Sequence, residues 1–276
     1  MKTRTVKKIY EPMPTSDGAG VKLLRAIASP ELNHFDPFLL LDEFRSDNAG
    51  DYIAGFPSHP HRGFETVTYM LAGVMHHKDN TGESGDLGPG AVQWMTAGRG
   101  VVHSEMPRQK DGLIWGFQLW VNLPAKDKMC EPRYQNIPPE NVPTVKRDDG
   151  VSIKVIAGVV DGVKGAVIGI ATDPLYIDVT LPANSSFALP VANDHNAFTY
   201  VLEGEAVFGD SVVTKSKLVI FDDGDEVVVS VGEKGARFLL VAGRPLNESI
   251  VRHGPFVMNT KEEISQAIAD YQSGNF

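Results

Sequence analysis

Five ionisable side chains in two short stretches have the types and spacing that metal chemistry uses. "FPSHPHRGFE" (Phe56–Glu65) carries His59, His61 and Glu65, and "GRGVVHSEMP" (Gly98–Pro107) carries His103 and Glu105. On an extended chain, residues i and i+2 point to the same side. His59 and His61 can therefore aim two imidazoles at one point, and His103 and Glu105 repeat the spacing with an imidazole and a carboxylate. Pro60 removes a backbone donor, which puts the first pair at a strand end or edge. Two antiparallel strands that bring the pairs together would supply three histidines and a carboxylate, a set suited to Fe(II), Mn or another divalent first-row ion. Spacing leaves the carboxylate open between Glu65 and Glu105. Gly98 and Gly100 permit a sharp turn before His103. The other histidines lack this pairing. His76 and His77 are adjacent, face opposite ways on a strand and precede the turn signal "KDNTG", so both are expected at the surface. His34 and His253 are isolated and read as structural.

The elements that must position these residues are short alternating apolar runs. "FETVTYML", "GAVQWM", "IWGFQLWVNL", "SIKVIAGVV", "AVIGIA", "YIDVTL", "AFTYVL", "KLVIFD", "DEVVVSV" and "RFLLVAG" read as strands, separated by turns such as "GDLGPG" and "GEKG". This spacing predicts an all-β sandwich or barrel rather than alternating βα units. By parity with the histidines, Glu65, Val67, Tyr69 and Leu71 form the inward face of their strand and Thr66 and Thr68 the outward one. One helix is expected, in "NTKEEISQAIADYQSG". Thr260 and Glu263 form a capping box, and Ile264, Ala267, Ile268 and Tyr271 make one apolar stripe for packing on a sheet. The polar, proline-rich stretch Asn136–Gly150 reads as a linker between two halves.

The halves look related. Setting Gly73 of "HRGFETVTYMLAG" on Gly204 of "ANDHNAFTYVLEG" puts Tyr69 on Tyr200 and Leu71 on Leu202, as a duplicated barrel would. His59, His61 and Glu65 then fall on Pro190, Ala192 and Asn196, and His195 has no partner two residues away. The chain has 26 basic and 35 acidic residues, a net charge of −9. Such a chain repels phosphate backbones, so direct nucleic-acid binding is not expected. The basic start (Lys2, Arg4, Lys7, Lys8) reads as a solvated segment. Cys130 is the single cysteine, which excludes an internal disulfide and fits a reducing compartment. No apolar run reaches the ~18 residues of a membrane span, and no secretory signal is evident. A cytoplasmic protein is expected.

The arrangement H-x-H-x₃-E followed by G-x-G-x-x-H is similar to the two metal-binding motifs of the cupin superfamily. The fuller stretches "FPSHPHRGFETVTYML" and "QWMTAGRGVVHSEMP", with "DPFLLLDEF" (Asp36–Phe44) and "GPFVMNTKEEI" (Gly254–Ile264), resemble the pirin family. That resemblance implies two jelly-roll-like cupin barrels in tandem with a short C-terminal helix. Residues 1–136 would form the metal-binding barrel, 137–150 a linker and 151–276 a degenerate barrel without ligands. It implies one ion, Fe(II) first, with Ni, Mn, Co, Cu or Zn as alternatives, held by His59, His61, His103 and Glu105, with Glu65 beside the ligands rather than among them. It also implies a flavonol dioxygenase of the quercetinase type, releasing carbon monoxide, with Glu105 as the base. Phe56, Trp94, Trp115 and Phe117 are candidates to line a flat aromatic site. The alternative carried by the same resemblance is an iron-containing regulator that binds a transcription factor or a metabolic enzyme.

Overall fold

The structure is a computed structural model that describes residues 1–276. The chain is all-β apart from one α-helix, Lys261–Gln272, and three short 3₁₀ turns. It divides into two compact units, each an antiparallel jelly-roll-like β-structure.

The unit that carries the histidines comprises Met13–Ala28, Phe38–Pro139 and Leu246–Phe276. Its larger sheet has seven strands. Ile114–Asn122 lies at the centre, between Phe64–Ala72 and Phe38–Ser46. Its smaller sheet runs in the order Phe56–His61, Val101–Pro107, Met75–Asp79 and Ser84–Leu87. The strand Phe64–Ala72 is buried on both faces over its first seven residues. Thr66 and Thr68, expected outside, are as buried as Glu65. Alternation marks two faces, but it cannot say which is exposed when neither is.

The helix forms as expected. Glu263 N donates to Thr260 Oγ1 at 3.1 Å, and Thr260 N donates to Glu263 Oε2 at 2.9 Å. Ile264 and Ala267 are buried against Phe256 and Met258, so the stripe covers the short strand pair Val251–His253 and Phe256–Met258. No helix is long and apolar enough to cross a membrane.

The other unit comprises Met1–Pro12, Ser29–Pro37 and Glu140–Pro245. Its nine-stranded sheet encloses an apolar core that includes Ile153, Val155, Ile177, Val201, Phe238 and Leu240. The two related glycines both take positive φ, +77° at Gly73 and +74° at Gly204, and Tyr69 and Tyr200 are both fully buried. The termini depart from a contiguous division of the chain. Val6–Tyr10 pairs with Leu218–Phe221 and so extends the sheet of the second half. The C-terminal residues belong with the first half. An open strand edge offers unpaired N–H and C=O groups, and pairing removes that liability wherever in the sequence the partner lies. The segment expected as a linker is structured too. Thr144–Lys146 forms a strand against Ser152–Ala157.

Candidate metal centre

His59 and His61 stand on Phe56–His61, and His103 and Glu105 on Val101–Pro107, which are antiparallel neighbours with His103 directly opposite His59. The register slips between His103 and Glu105, a bulge that re-aims the carboxylate. The ligand atoms of His59, His61 and His103 all lie within 4.8 Å of one another. His59 Nε2 is 2.9 Å from His61 Nε2, and His103 Nε2 is 3.9 Å from Glu105 Oε2. The structure thus brings all three histidines together and sets Glu105 beside them.

Neighbouring groups hold these side chains in place. His59 Nδ1 lies 2.8 Å from the Pro57 carbonyl oxygen. A carbonyl only accepts, so Nδ1 carries the proton and Nε2 offers its lone pair to the cluster. Thr68 Oγ1 is 3.0 Å from Glu105 Oε1 and 2.7 Å from Gln118 Oε1. Thr68 has one proton; with the Gln118 amide turned so that its nitrogen donates, that proton goes to Glu105.

His61 Nδ1 and both ring nitrogens of His103 are buried without a hydrogen-bond partner. Each orphaned buried polar atom costs about 1–3 kcal/mol; an imidazole binds an ion through one nitrogen, so a cation at the cluster would relieve one of the two on His103 while also taking the Nε2 lone pairs that His59 and His61 turn toward each other. Burial, with the other imidazoles close by, pushes His61 and His103 well below the usual histidine range, so both are neutral and able to offer a lone pair. Burial pushes Glu105 upward, against His59 and the Thr68 hydrogen bond, and a cation would restore its carboxylate form. Three imidazoles and one carboxylate fit a divalent first-row ion.

Glu65 is not brought to this cluster. Its parity sends it to the opposite face of the strand, where Oε1 accepts from Thr96 Oγ1 at 2.6 Å. Burial raises it to about 7, with Thr96 and the Trp94 indole holding it back. The fold therefore binds the Glu65 proton more tightly than the unfolded chain does. This contribution is complete below about pH 4.5 and is lost as pH rises to about 7. The shift corresponds to about 3 kcal/mol. We expect Glu65→Gln to flatten this slope, gaining stability over the wild type at pH 8 but not at pH 4. Urea melts at the two pH values check it, and equal differences at both would contradict it.

His77 departs from expectation. It is buried and stacked on Tyr134, because Met75–Asp79 is paired on both sides and turns alternate residues inward. His76 is half-exposed, with Nδ1 2.6 Å from Asp86. His34 and His253 are exposed.

A cavity of about 510 Å³ opens onto the cluster, lined in part by His59, His61, Glu105, Phe44, Phe56 and Trp120. Of the four aromatics proposed to line a site, Phe56 does so; Trp94, Trp115 and Phe117 are buried and do not line the cavity. Trp120, Gln118 and Thr68 were not anticipated. They occupy the parity of their strands that carries polar groups, and that signal was readable.

The Pirin family model matches residues 20–121, and the Pirin C-terminal cupin domain model matches residues 176–276. A pirin-like protein of Caulobacter vibrioides is 52% identical over the whole of both chains. Human pirin is 43% identical over 94% of this chain and 89% of its own. A crystal structure of quercetin 2,3-dioxygenase from Acinetobacter baumannii superposes with a TM-score of 0.90 at 35% identity, covering 99% of this chain and 98% of that one. With both halves matched, and with relatives of this identity along nearly its full length, the chain belongs to the pirin family.

Proposed function

We propose that the protein is a metal-dependent dioxygenase that cleaves flavonols such as quercetin, consuming dioxygen and releasing carbon monoxide. The observation that carries this reading is the histidine cluster, with Glu105, on the wall of an aromatic-lined cavity large enough for a flat three-ring ligand. The likeness to a structure named quercetin 2,3-dioxygenase supports the substrate class. His59, His61, His103 and Glu105 would hold one ion, Fe(II) in the first instance. When bound, that ion supplies Lewis acidity toward a substrate hydroxyl and the redox capacity for dioxygen chemistry.

The chain's own residues do the rest. Glu105, a carboxylate beside the three histidines, accepts the proton of the flavonol 3-hydroxyl. Thr68 fixes the orientation of Glu105. Phe44, Phe56 and Trp120 present flat apolar surface to the rings and exclude water. Over the whole reaction both oxygen atoms of dioxygen enter the ring-opened ester and one ring carbon leaves as carbon monoxide. Glu105 holds the proton until the product takes it back.

The test is metal analysis of protein purified without oxygen, followed by flavonol bleaching and carbon monoxide detection in air. About one metal per chain with metal-dependent bleaching supports the enzyme. About one metal per chain with kcat/KM far below ~10⁴ M⁻¹s⁻¹ would replace it with the metal-bearing regulator. Glu105→Gln is expected to lower kcat by a factor on the order of 10²–10⁴ while metal is retained. An unchanged kcat in that variant would remove Glu105 from the base role.

A further inference from the structure

Beyond the histidines, the cavity wall holds a cation that the reaction described above leaves unused. Arg252, on Val251–His253, lines the same cavity as His59, His61 and Glu105. Its guanidinium carbon lies 4.5 Å from the centroid of the Trp120 ring, and Trp120 meets His61 edge to face at 5.4 Å. One indole thus separates the guanidinium from a metal-facing imidazole. Stacking occupies the flat face of a guanidinium and leaves its edge, where the N–H groups are, able to bond. Only Nε is engaged, donating to the Gly254 carbonyl oxygen at 3.3 Å, and Arg252 forms no salt bridge. The acids nearby are already taken. Arg25 binds both oxygens of Asp42, at 2.9 and 2.7 Å, and reaches Asp17 at 2.8 Å.

We infer that Arg252 determines the ligand preference of this cavity. Its Nη groups receive an anionic oxygen, from a carboxylate or an ionised phenol, at the far end of a planar aromatic ligand whose near end faces the three histidines. The inference rests on the proposed reading of the cavity as a flavonol site, and it narrows the substrate class to aromatics that are acidic at the end remote from ring opening. Charge favours the same reading. Of the acids that line the cavity, Asp42 and Asp17 are bound by Arg25 and Glu105 would face the ion, so Arg252, the one Lys or Arg side chain on the wall, is left to attract an anionic ligand. The edge of a stacked guanidinium also matches a carboxylate in two parallel hydrogen bonds, which a lysine cannot reproduce.

The experiment is an anaerobic titration of the metal-loaded protein, read by quenching of tryptophan fluorescence. The probes are 3-hydroxyflavone and the same molecule with a 4′-carboxylate on its phenyl ring. The wild type is expected to bind the carboxylate about tenfold tighter than the neutral flavonol or better. In Arg252→Gln the two affinities should converge to within about twofold, and Arg252→Lys should retain part of the preference. A wild type that binds both probes alike, or neither, overturns the inference, and so does a preference that survives in Arg252→Gln. Admitting air afterwards tests the reaction separately. A bound flavonol that persists in air would defeat the dioxygenase reading and leave the charge preference standing.

Discussion

Replacing His103 by alanine is expected to empty the metal centre and reduce flavonol turnover to background. His103 is only 2% exposed and neither ring nitrogen has a hydrogen-bond partner, yet its ring lies 4.5 Å from that of His59 and 4.9 Å from that of His61. A side chain that is buried, polar and unsatisfied has no packing role to justify it, and facing a cation with two neighbours gives it one. Loss of one donor of four should weaken metal binding by about 10²-fold or more, since even residues that merely support metal ligands cost 10–100-fold. The fold itself should survive, because alanine removes two orphaned nitrogens along with the ring. Thermal melts separate these effects. Metal should raise the Tm of the wild type, since it binds only the folded state, and should leave the Tm of His103→Ala where it stands with chelator present. Treating the wild type with chelator should reproduce the loss of turnover. A variant that purifies with one metal per chain, or melts higher on adding metal, would defeat the four-ligand assignment.

The parts of this molecule that were legible in the sequence are those set by local geometry. Two histidines two apart on a strand must share a side, so His59 and His61 could be paired without knowing where the strand lies. A threonine three residues before a glutamate caps a helix by contacts within one turn, and Thr260 and Glu263 do so. What escaped depends on register and on what covers each face. The strand holding Thr68 and the strand holding Gln118 and Trp120 read as one apolar face and one polar face. Trp115 and Phe117 stand on the apolar face and are buried away from the cavity. The cavity lies on the other side, because both sides are buried and chemistry needs the polar one. The exchange of the termini was equally hidden. Val6–Tyr10 meets Leu218–Phe221 across more than 200 residues, and no periodicity reports such a pairing. Arg252 stands some 190 residues from the histidines whose cavity it lines.

The same blindness conceals the residue whose loss should most damage stability. Lys128, in "AKDKM", reads as one of several surface lysines, yet it is 1% exposed. Its Nζ donates to the Gly63 carbonyl oxygen at 2.8 Å, Asn122 Oδ1 at 2.7 Å and the Val257 carbonyl oxygen at 3.1 Å. Three acceptors match the three N–H bonds of an ammonium group. Burial lowers Lys128 to about 8, so the charge persists at neutral pH. Lys128→Met keeps the aliphatic stem and removes the donors, leaving three acceptors buried together. We expect a loss of about 3–5 kcal/mol, the range for breaking a buried charged cluster by deleting one partner, and a fall in Tm of roughly 10 °C. The damage should also reach the metal centre. Gly63 lies two residues after His61, holds φ +86° and packs so tightly that a Cβ would lie 2.0 Å from the Val257 carbonyl oxygen. Its neighbour Arg62 donates from Nε to the Arg99 carbonyl oxygen at 2.5 Å and pairs through Nη1 with Asp270 at 2.7 Å. The turn that ends the His59–His61 strand is therefore clamped from several sides, and Lys128 is the clamp nearest its centre. Its loss should lower the melting temperature with and without metal alike, which His103→Ala should not do. Urea melts of the two variants in chelator distinguish them, and a Lys128→Met protein within 1 kcal/mol of the wild type would show that the ammonium merely fills space.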